Sequence, residues 1–259
     1  MRLSPFALLD RWRSPPPTPE KVAWLSRCGY AHRGLHGSGV PENSRSAFAA
    51  AITRGMGIEC DVQRSGDGRA MIFHDKDLER LTGEAGLLAD RSTDELSRIV
   101  LSGSTDTIPT LRQILDQIGG TVPVLIEIKT PRDAGRRTSA LCLAVRRDLE
   151  GYLGPHAIMS FDPRVVRWFA EHSPLTVRGL VVTENNDKAL PGMVRRRLSL
   201  WHARPDFLAY DIRDLPSRFA AGQRKRGLPL LTWTVRSLEH RERADLYADA
   251  PIAEGPGAV

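Results

Sequence analysis

From Gly29 onward, short runs with apolar residues at every second position alternate with longer stretches whose apolar residues recur every three or four positions. The first kind predicts strands and the second amphipathic helices. Strands are expected at Gly29–His32, Gly57–Gln63, Ala70–His74, Val122–Lys129, Ala157–Phe161, Thr176–Val182, Phe207–Asp211 and Leu228–Val235. Helices are expected between most of them: Pro41–Arg54, Thr110–Ile118, Thr138–Leu149, Val165–His172, Pro191–Trp201, Leu215–Arg226 and Leu238–Tyr247. Eight strands with intervening helices in a chain of this length predict a (β/α)8 TIM barrel and not an open doubly wound sheet. The first strand is not followed by a glycine-rich dinucleotide fingerprint, which points the same way.

Two stretches break the alternation. Residues 1–28 read as an N-terminal extension, with Leu3, Phe6, Leu9 and Trp12 on one helical stripe ended by Pro15-Pro16-Pro17. The stripe is expected to pack on the barrel formed by residues 29–259. Arg2, Arg11 and Arg13 beside it leave a weak peripheral membrane contact as an alternative. Residues 75–107 are polar and glycine-containing, with one short helix around Asp94–Val100, and read as an insertion after the third strand at the pocket rim. Ser65-Gly66-Asp67-Gly68 is a tight turn between the second and third strands, although a parallel pair ordinarily needs a longer crossover.

Charge changes this picture little. The net charge is +6, and the arginine clusters Arg195-Arg196-Arg197 and Arg224-Lys225-Arg226 lack interleaved aromatics, so no nucleic-acid partner is expected. Three well-separated cysteines, Cys28, Cys60 and Cys142, suggest neither a disulfide framework nor a zinc cluster. With no apolar run long enough to span a bilayer and no cleavable leader pattern, a cytoplasmic location is expected.

The chemistry collects at strand ends. Glu59 and Asp61 share one face of the second predicted strand, their Cα atoms roughly 6–7 Å apart. Cys60 faces the other way as a packed hydrophobe. Glu127 and Lys129 share a face on the fourth strand, and His32 and His74 close two others. Three carboxylates without sulfur make a hard-oxygen site, suited to one divalent cation, Mg2+ or Ca2+, and not to zinc. Lys129 adds a positive charge for a phosphate, and two histidines suit acid–base work near neutral pH. The set predicts metal-assisted cleavage of a phosphodiester.

These residues resemble the glycerophosphodiester phosphodiesterase family. The matching positions are His32-Arg33-Gly34, Pro41-Glu42-Asn43-Ser44, Glu59-Cys60-Asp61-Val62, Asp67-Gly68, and His74-Asp75 with Leu78, Arg80 and Thr82. Ile108-Pro109-Thr110-Leu111, Glu127-Ile128-Lys129 and Trp233-Thr234-Val235 follow. The resemblance runs from about residue 29 to the C-terminus and is most specific in the first half. It implies a (β/α)8 barrel with an insertion after the third strand, and a tight connection between strands two and three. It also implies Glu59, Asp61 and Glu127 as metal ligands, and His32 and His74 as the acid–base pair, His32 as base. Arg33 and Lys129 would contact phosphate, Trp233 would line the pocket, and Glu42 and Asn43 would support the site from behind. The implied substrates are small glycerophosphodiesters, split into sn-glycerol 3-phosphate and an alcohol. A lysolipid-directed phospholipase D-like lyase on the same fold, or a non-catalytic binding barrel, are the alternatives. Asp211, ending the seventh predicted strand, lies outside the family pattern and is expected either to bind a substrate hydroxyl or to cap its loop.

Overall fold

The computed structural model describes residues 5–130, 135–184 and 189–258. These fall into two compact units. One runs Tyr30–His156, and the other joins the segment up to Gly29 to the chain from Ala157 onward. Arg2, Leu3 and the side chain of Phe6 lie outside the described residues.

The N-terminal segment carries α1 (Pro5–Arg13) and α2 (Pro19–Val22). Of the expected apolar stripe, Leu3 and the Phe6 side chain lie outside the described residues, and Leu9 is half-buried. Trp12 is 72% exposed, with the Arg13 guanidinium stacked over its ring at 4.6 Å. Among the described residues, Asp10 ties the segment down: it is buried and accepts from Trp201 Nε1 at 2.7 Å and Gln223 Nε2 at 2.9 Å. Arg226 adds a bond to the Ser14 carbonyl.

The unit Tyr30–His156 contains β1 (Tyr30–Ala31), α3 (Arg45–Thr53), β2 (Gly57–Arg64), β3 (Ala70–Ile72), α4 (Glu79–Thr82), α5 (Thr93–Leu96), α6 (Leu111–Ile118), β4 (Val124–Ile128) and α7 (Gly135–Asp148). β1 and β4 run parallel to β2 on either side of it. β3 runs antiparallel to β2, with Val62 opposite Ile72. The connecting turn is too short for a crossover: Ser65 N–H reaches the Arg69 carbonyl at 3.0 Å, and Gly68 takes φ +95° to close it. The third predicted strand is therefore a hairpin arm and not a barrel strand.

The 75–107 segment is also less polar inside than its sequence suggests. Leu78, Leu88, Leu96, Ile99 and Leu101 pack with Met71, Phe73 and Ile108 into a core of their own. Each fully buried leucine contributes about 1.5–3 kcal/mol, so the segment is a packed substructure. α6 shows the local logic most directly. Leu111, Ile114, Leu115 and Ile118 form its buried face, and Thr110 and Gln113 close a reciprocal capping box at its start.

In the other unit, β5 (His156–Ser160, shared at its first residue), α8 (Pro163–His172), β6 (Val177–Val182), α9 (Leu190–Ala203), β7 (Phe207–Asp211), α10 (Arg218–Lys225), β8 (Leu230–Val235), α11 (Leu238–Tyr247) and β9 (Ala250–Ala253) follow in order. Successive strands from β5 to β9 pair in parallel. Their helices bury Val166, Leu200, Ala220 and Ala244 with Leu180, Leu208 and Tyr210 from the strands. β9 is the strand that stands in for β3. With it, the parallel strands among the described residues number eight: β1, β2 and β4 to β9. Among the described residues, no helix is long and apolar enough to cross a membrane.

Candidate active site

The site residues in the unit Tyr30–His156 are positioned by β2, β4 and the loops after β1 and β3. The parallel register sets Asp61 beside Glu127. Alternation along β2 puts Glu59 on the same face as Asp61. All three carboxylates are buried, and one oxygen from each lies within 4.8 Å of the others. Cys60, between them in sequence, is fully buried, and burial pushes its thiol pKa well up.

Two cations meet this cluster. Lys129 Nζ lies 2.7 Å from Glu127 Oε1 and 2.9 Å from Asp61 Oδ1. Arg33 Nε lies 3.2 Å from Asp61 Oδ2, and its Nη1 donates to Glu42 at 2.8 Å. Arg33 takes φ +56°, and its backbone N–H donates to Glu59 Oε2 at 3.0 Å. A non-glycine residue in that region costs energy, and the strain is held where Glu59 is oriented. Gly34 follows at φ +79°, and a Cβ there would meet the Ala47 Cβ at 2.8 Å, so the loop packs directly on α3.

Asn43, also at φ +56°, is buried behind Asp61. Its Nδ2 donates to Asp61 Oδ2 at 2.9 Å, and its Oδ1 accepts from the Asp61 N–H at 3.2 Å. Next to it, Ser44 caps α3 by accepting from Ala47 N–H at 3.1 Å.

The electrostatics divide the three acids. Burial works to raise the Asp61 pKa, but Lys129, Arg33, His74 and the Asn43 hydrogen bond outweigh it and hold the group below the usual carboxylate range. Burial pushes Glu59 well up, and its neighbours Asp61 and Glu127 push it further. Burial also raises Glu127, with Lys129 opposing. Three acids thus share two cations, and the excess negative charge is felt most at Glu59. Crowded, buried, all-oxygen donors of this kind fit a hard divalent cation such as Mg2+ or Ca2+.

His32 directly follows β1 and is half-buried. His74 lies two residues past β3. Its loop is drawn to β2 by Gln63, whose Nε2 lies 3.2 Å from the Phe73 carbonyl and 2.9 Å from the His74 carbonyl. His74 Nδ1 is 2.7 Å from Asp75 Oδ1. A carboxylate there can only accept, so Nδ1 carries the proton and Nε2 is the nitrogen left to react. Burial lowers the His74 pKa, and Lys129 and Arg33 add to this against the pull of Asp61. Asp75 in turn pairs with Arg80 Nε, and Arg80 reaches Glu42 Oε1 at 2.7 Å.

Gln63 carried no sequence signal, because its role depends on where the hairpin turns. Asp75 and Arg80 matched the family pattern without an assigned role. Two expected site residues lie in the other unit. Trp233 on β8 is half-buried, donates from Nε1 to the Ala209 carbonyl at 3.0 Å and meets Phe161 edge-on at 5.4 Å. Asp211 caps its loop, accepting from the Arg213 N–H at 3.0 Å, and pairs with the Nε–Nη2 edge of the Arg213 guanidinium.

Fold and site together define a barrel protein with a buried acidic, oxygen-donor centre beside histidine and arginine. Over residues 32–252 the chain matches the Glycerophosphoryl diester phosphodiesterase family. It is 28% identical over 227 residues to the glycerophosphodiester phosphodiesterase of Caldanaerobacter subterraneus subsp. tengcongensis, covering 82% of this chain and 87% of that protein. It is 38% identical to the glycerophosphodiester phosphodiesterase of Bacillus altitudinis over 107 residues, 39% of this chain and 43% of that protein, so this match spans less than half of the relative. The crystal structure of an Oleispira antarctica phosphodiesterase in complex with the product sn-glycerol-3-phosphate is similar in fold. The TM-score is 0.74 at 24% identity, covering 88% of this chain and 92% of that one. The chain belongs to the glycerophosphoryl diester phosphodiesterase family, and its fold is a (β/α)8 barrel.

Proposed function

We propose that this protein is a divalent-metal-dependent phosphodiesterase that splits small glycerophosphodiesters into sn-glycerol 3-phosphate and an alcohol. The observation that carries the reading is the buried Glu59–Asp61–Glu127 cluster, its carboxylate oxygens within 4.8 Å of one another, beside His74 and Arg33. Family membership and the names of the relatives support the substrate class.

Glu59, Asp61 and Glu127 would hold the cation, which supplies charge stabilisation to a phosphoryl oxygen when bound. Arg33 and Lys129 orient the phosphate and offset its charge in the transition state. His32 takes the proton from the attacking hydroxyl, which is either the 2-hydroxyl of the substrate's glycerol or water. As the new oxygen–phosphorus bond forms, the bond from phosphorus to the alcohol oxygen breaks. His74, entering the step as the imidazolium with a second proton on Nε2, delivers that proton to the leaving oxygen and keeps the one on Nδ1. On the first route a cyclic phosphate results, and water opens it with the same two histidines exchanging roles.

The test is release of glycerol 3-phosphate from glycerophosphocholine and its ethanolamine, glycerol and inositol counterparts, with and without EDTA. Turnover that EDTA removes and Mg2+ or Ca2+ restores is expected. His32→Ala and Glu59→Ala should each abolish it while leaving the circular-dichroism spectrum unchanged. Absence of turnover for every diester with every divalent ion would overturn the reading.

A further inference from the structure

Arg80 takes no part in the steps above, and its side chain is 48% exposed. Its contacts are nevertheless specific. From the start of α4, Nε donates to Asp75 Oδ2, while Nη1 and Nη2 reach the two Glu42 oxygens at 3.2 and 2.7 Å. Each of those acids holds a group of the proposed reaction. Asp75 accepts from His74 Nδ1 at 2.7 Å, and Glu42 accepts from Arg33 Nη1 at 2.8 Å. Arg33 then meets Asp61 at 3.2 Å. One guanidinium thus joins the histidine that moves a proton to the arginine beside the acid cluster.

An ordinary structural clamp does not explain this placement. α4 is already secured without Arg80. Leu78, the residue before it, is fully buried in the segment's own core. Ser102 N–H bonds the Leu81 carbonyl at 2.8 Å, and Thr82 Oγ1 bonds the Leu78 carbonyl at 2.7 Å. At the far end of the segment, Asp106 holds the Ser46 N–H at 3.1 Å. What Arg80 adds is orientation of two carboxylates at once, which suits a planar guanidinium fork and not an ammonium. Asp75 is partly open to water, and its side chain has rotamers that do not face His74. Arg80 on its outer oxygen selects the rotamer that accepts from His74 Nδ1.

We propose that Arg80 is a positioning residue. By gripping Asp75 it keeps the His74 proton on Nδ1 and turns Nε2 toward the substrate, and by gripping Glu42 it holds Arg33 against the acid cluster. The inference rests on the phosphodiesterase reading for its kinetic part, while the state of the His74 ring can be read without any substrate.

The experiment compares wild-type protein, Arg80→Gln, Arg80→Lys, Asp75→Asn and the Asp75→Asn/Arg80→Gln double variant. The two readouts are steady-state kinetics and 15N spectra of the His74 imidazole near pH 8. Arg80→Gln should lower kcat about 10–100-fold, a share of the 100–10,000-fold that a positioned acid–base group supplies. It should also move the neutral His74 ring from the Nδ1–H toward the Nε2–H tautomer. Arg80→Lys should recover part of both effects. Because Arg80 acts in part through Asp75, adding Arg80→Gln to Asp75→Asn should slow turnover by less than Arg80→Gln slows the wild type, the remaining loss being the Glu42 arm. An Arg80→Gln variant that loses only thermal stability, with kcat per folded molecule and tautomer unchanged, makes Arg80 a clamp and overturns the proposal. Full additivity in the double variant does the same. Should wild-type protein turn over no diester, the functional reading falls. A tautomer shift in Arg80→Gln would still support the Arg80–Asp75–His74 linkage, and its absence would refute it.

Discussion

Asn43 shows how much of the site is set by one side chain. It satisfies both the carboxylate and the backbone N–H of Asp61 while its own backbone sits at φ +56°. Asn43→Ala removes both bonds, leaves a buried N–H unpaired at about 1–3 kcal/mol, and adds about 1–2 kcal/mol for alanine in a left-handed conformation. Asn43→Gly removes the same bonds without most of the backbone cost. Denaturant unfolding should therefore rank wild type above Asn43→Gly and Asn43→Gly above Asn43→Ala, with roughly 1–2 kcal/mol between the two variants. Equal stabilities for glycine and alanine would show that the left-handed backbone is not under strain. Activity should fall in both, since Asp61 loses the groups that orient it.

Between elements, the 75–107 segment is tied to α3 by polar contacts. Asp106 accepts from Ser46 N–H and Oγ in the first turn of α3, where a carboxylate also meets the positive end of the helix. Asp106→Ala should cost about 1–2 kcal/mol and raise amide exchange in the first turn of α3 and in residues 75–107 before the rest of the chain. Unchanged exchange there would rule the tie out. A second prediction concerns the start of β5. His156 Nδ1 bonds the Gly154 carbonyl at 2.8 Å, and burial lowers its pKa below that of a free imidazole. Its folded pKa being depressed, the contribution is fully present above the unfolded value, about 6.5, and is lost as pH falls toward the folded value. Stability of wild type relative to His156→Gln should decline from pH 7.5 to pH 5. A difference independent of pH would contradict it. Elements like these were unevenly legible in sequence. Strand periodicity places Glu59, Asp61 and Glu127 on common faces, because side chains alternate whatever the strand's direction. For the same reason it is silent on direction, and β3 reads as a barrel strand although Ser65–Arg69 can only close a hairpin. β9 escapes notice because Ala250-Pro251-Ile252-Ala253 is four residues long, carries a proline and pairs across an irregularity in β8. The string from His74 to Arg33 through Arg80 joins the loop after β1, the loop after β3 and α4, and no local period encodes it.

For the molecule as a whole, the acid cluster sets folding against function. Glu59, Asp61 and Glu127 crowd into one buried site with Lys129 and Arg33 as counter-charges, and burial together with Asp61 and Glu127 disfavours the ionised form of Glu59. In metal-free protein that repulsion lowers stability. A cation bound to the native state reverses it by mass action, by about 2.7 kcal/mol at one hundred times Kd, which for a chain of this size is roughly 5–10 °C in Tm. Mg2+ or Ca2+ should therefore raise the Tm of EDTA-treated protein by that order, and EDTA should return it. Glu59→Gln separates the two effects. The amide relieves the like-charge contact and can donate to Asp61, so the metal-free variant should melt above metal-free wild type. The same change removes a ligand, so its Tm should no longer respond to the cation and turnover should be lost. A variant that is more stable, insensitive to metal and inactive is the combination that a strained metal-binding cluster requires. If Glu59→Gln still gains stability from the cation, Glu59 is not a ligand. If it melts below metal-free wild type, the carboxylates are not in net repulsion.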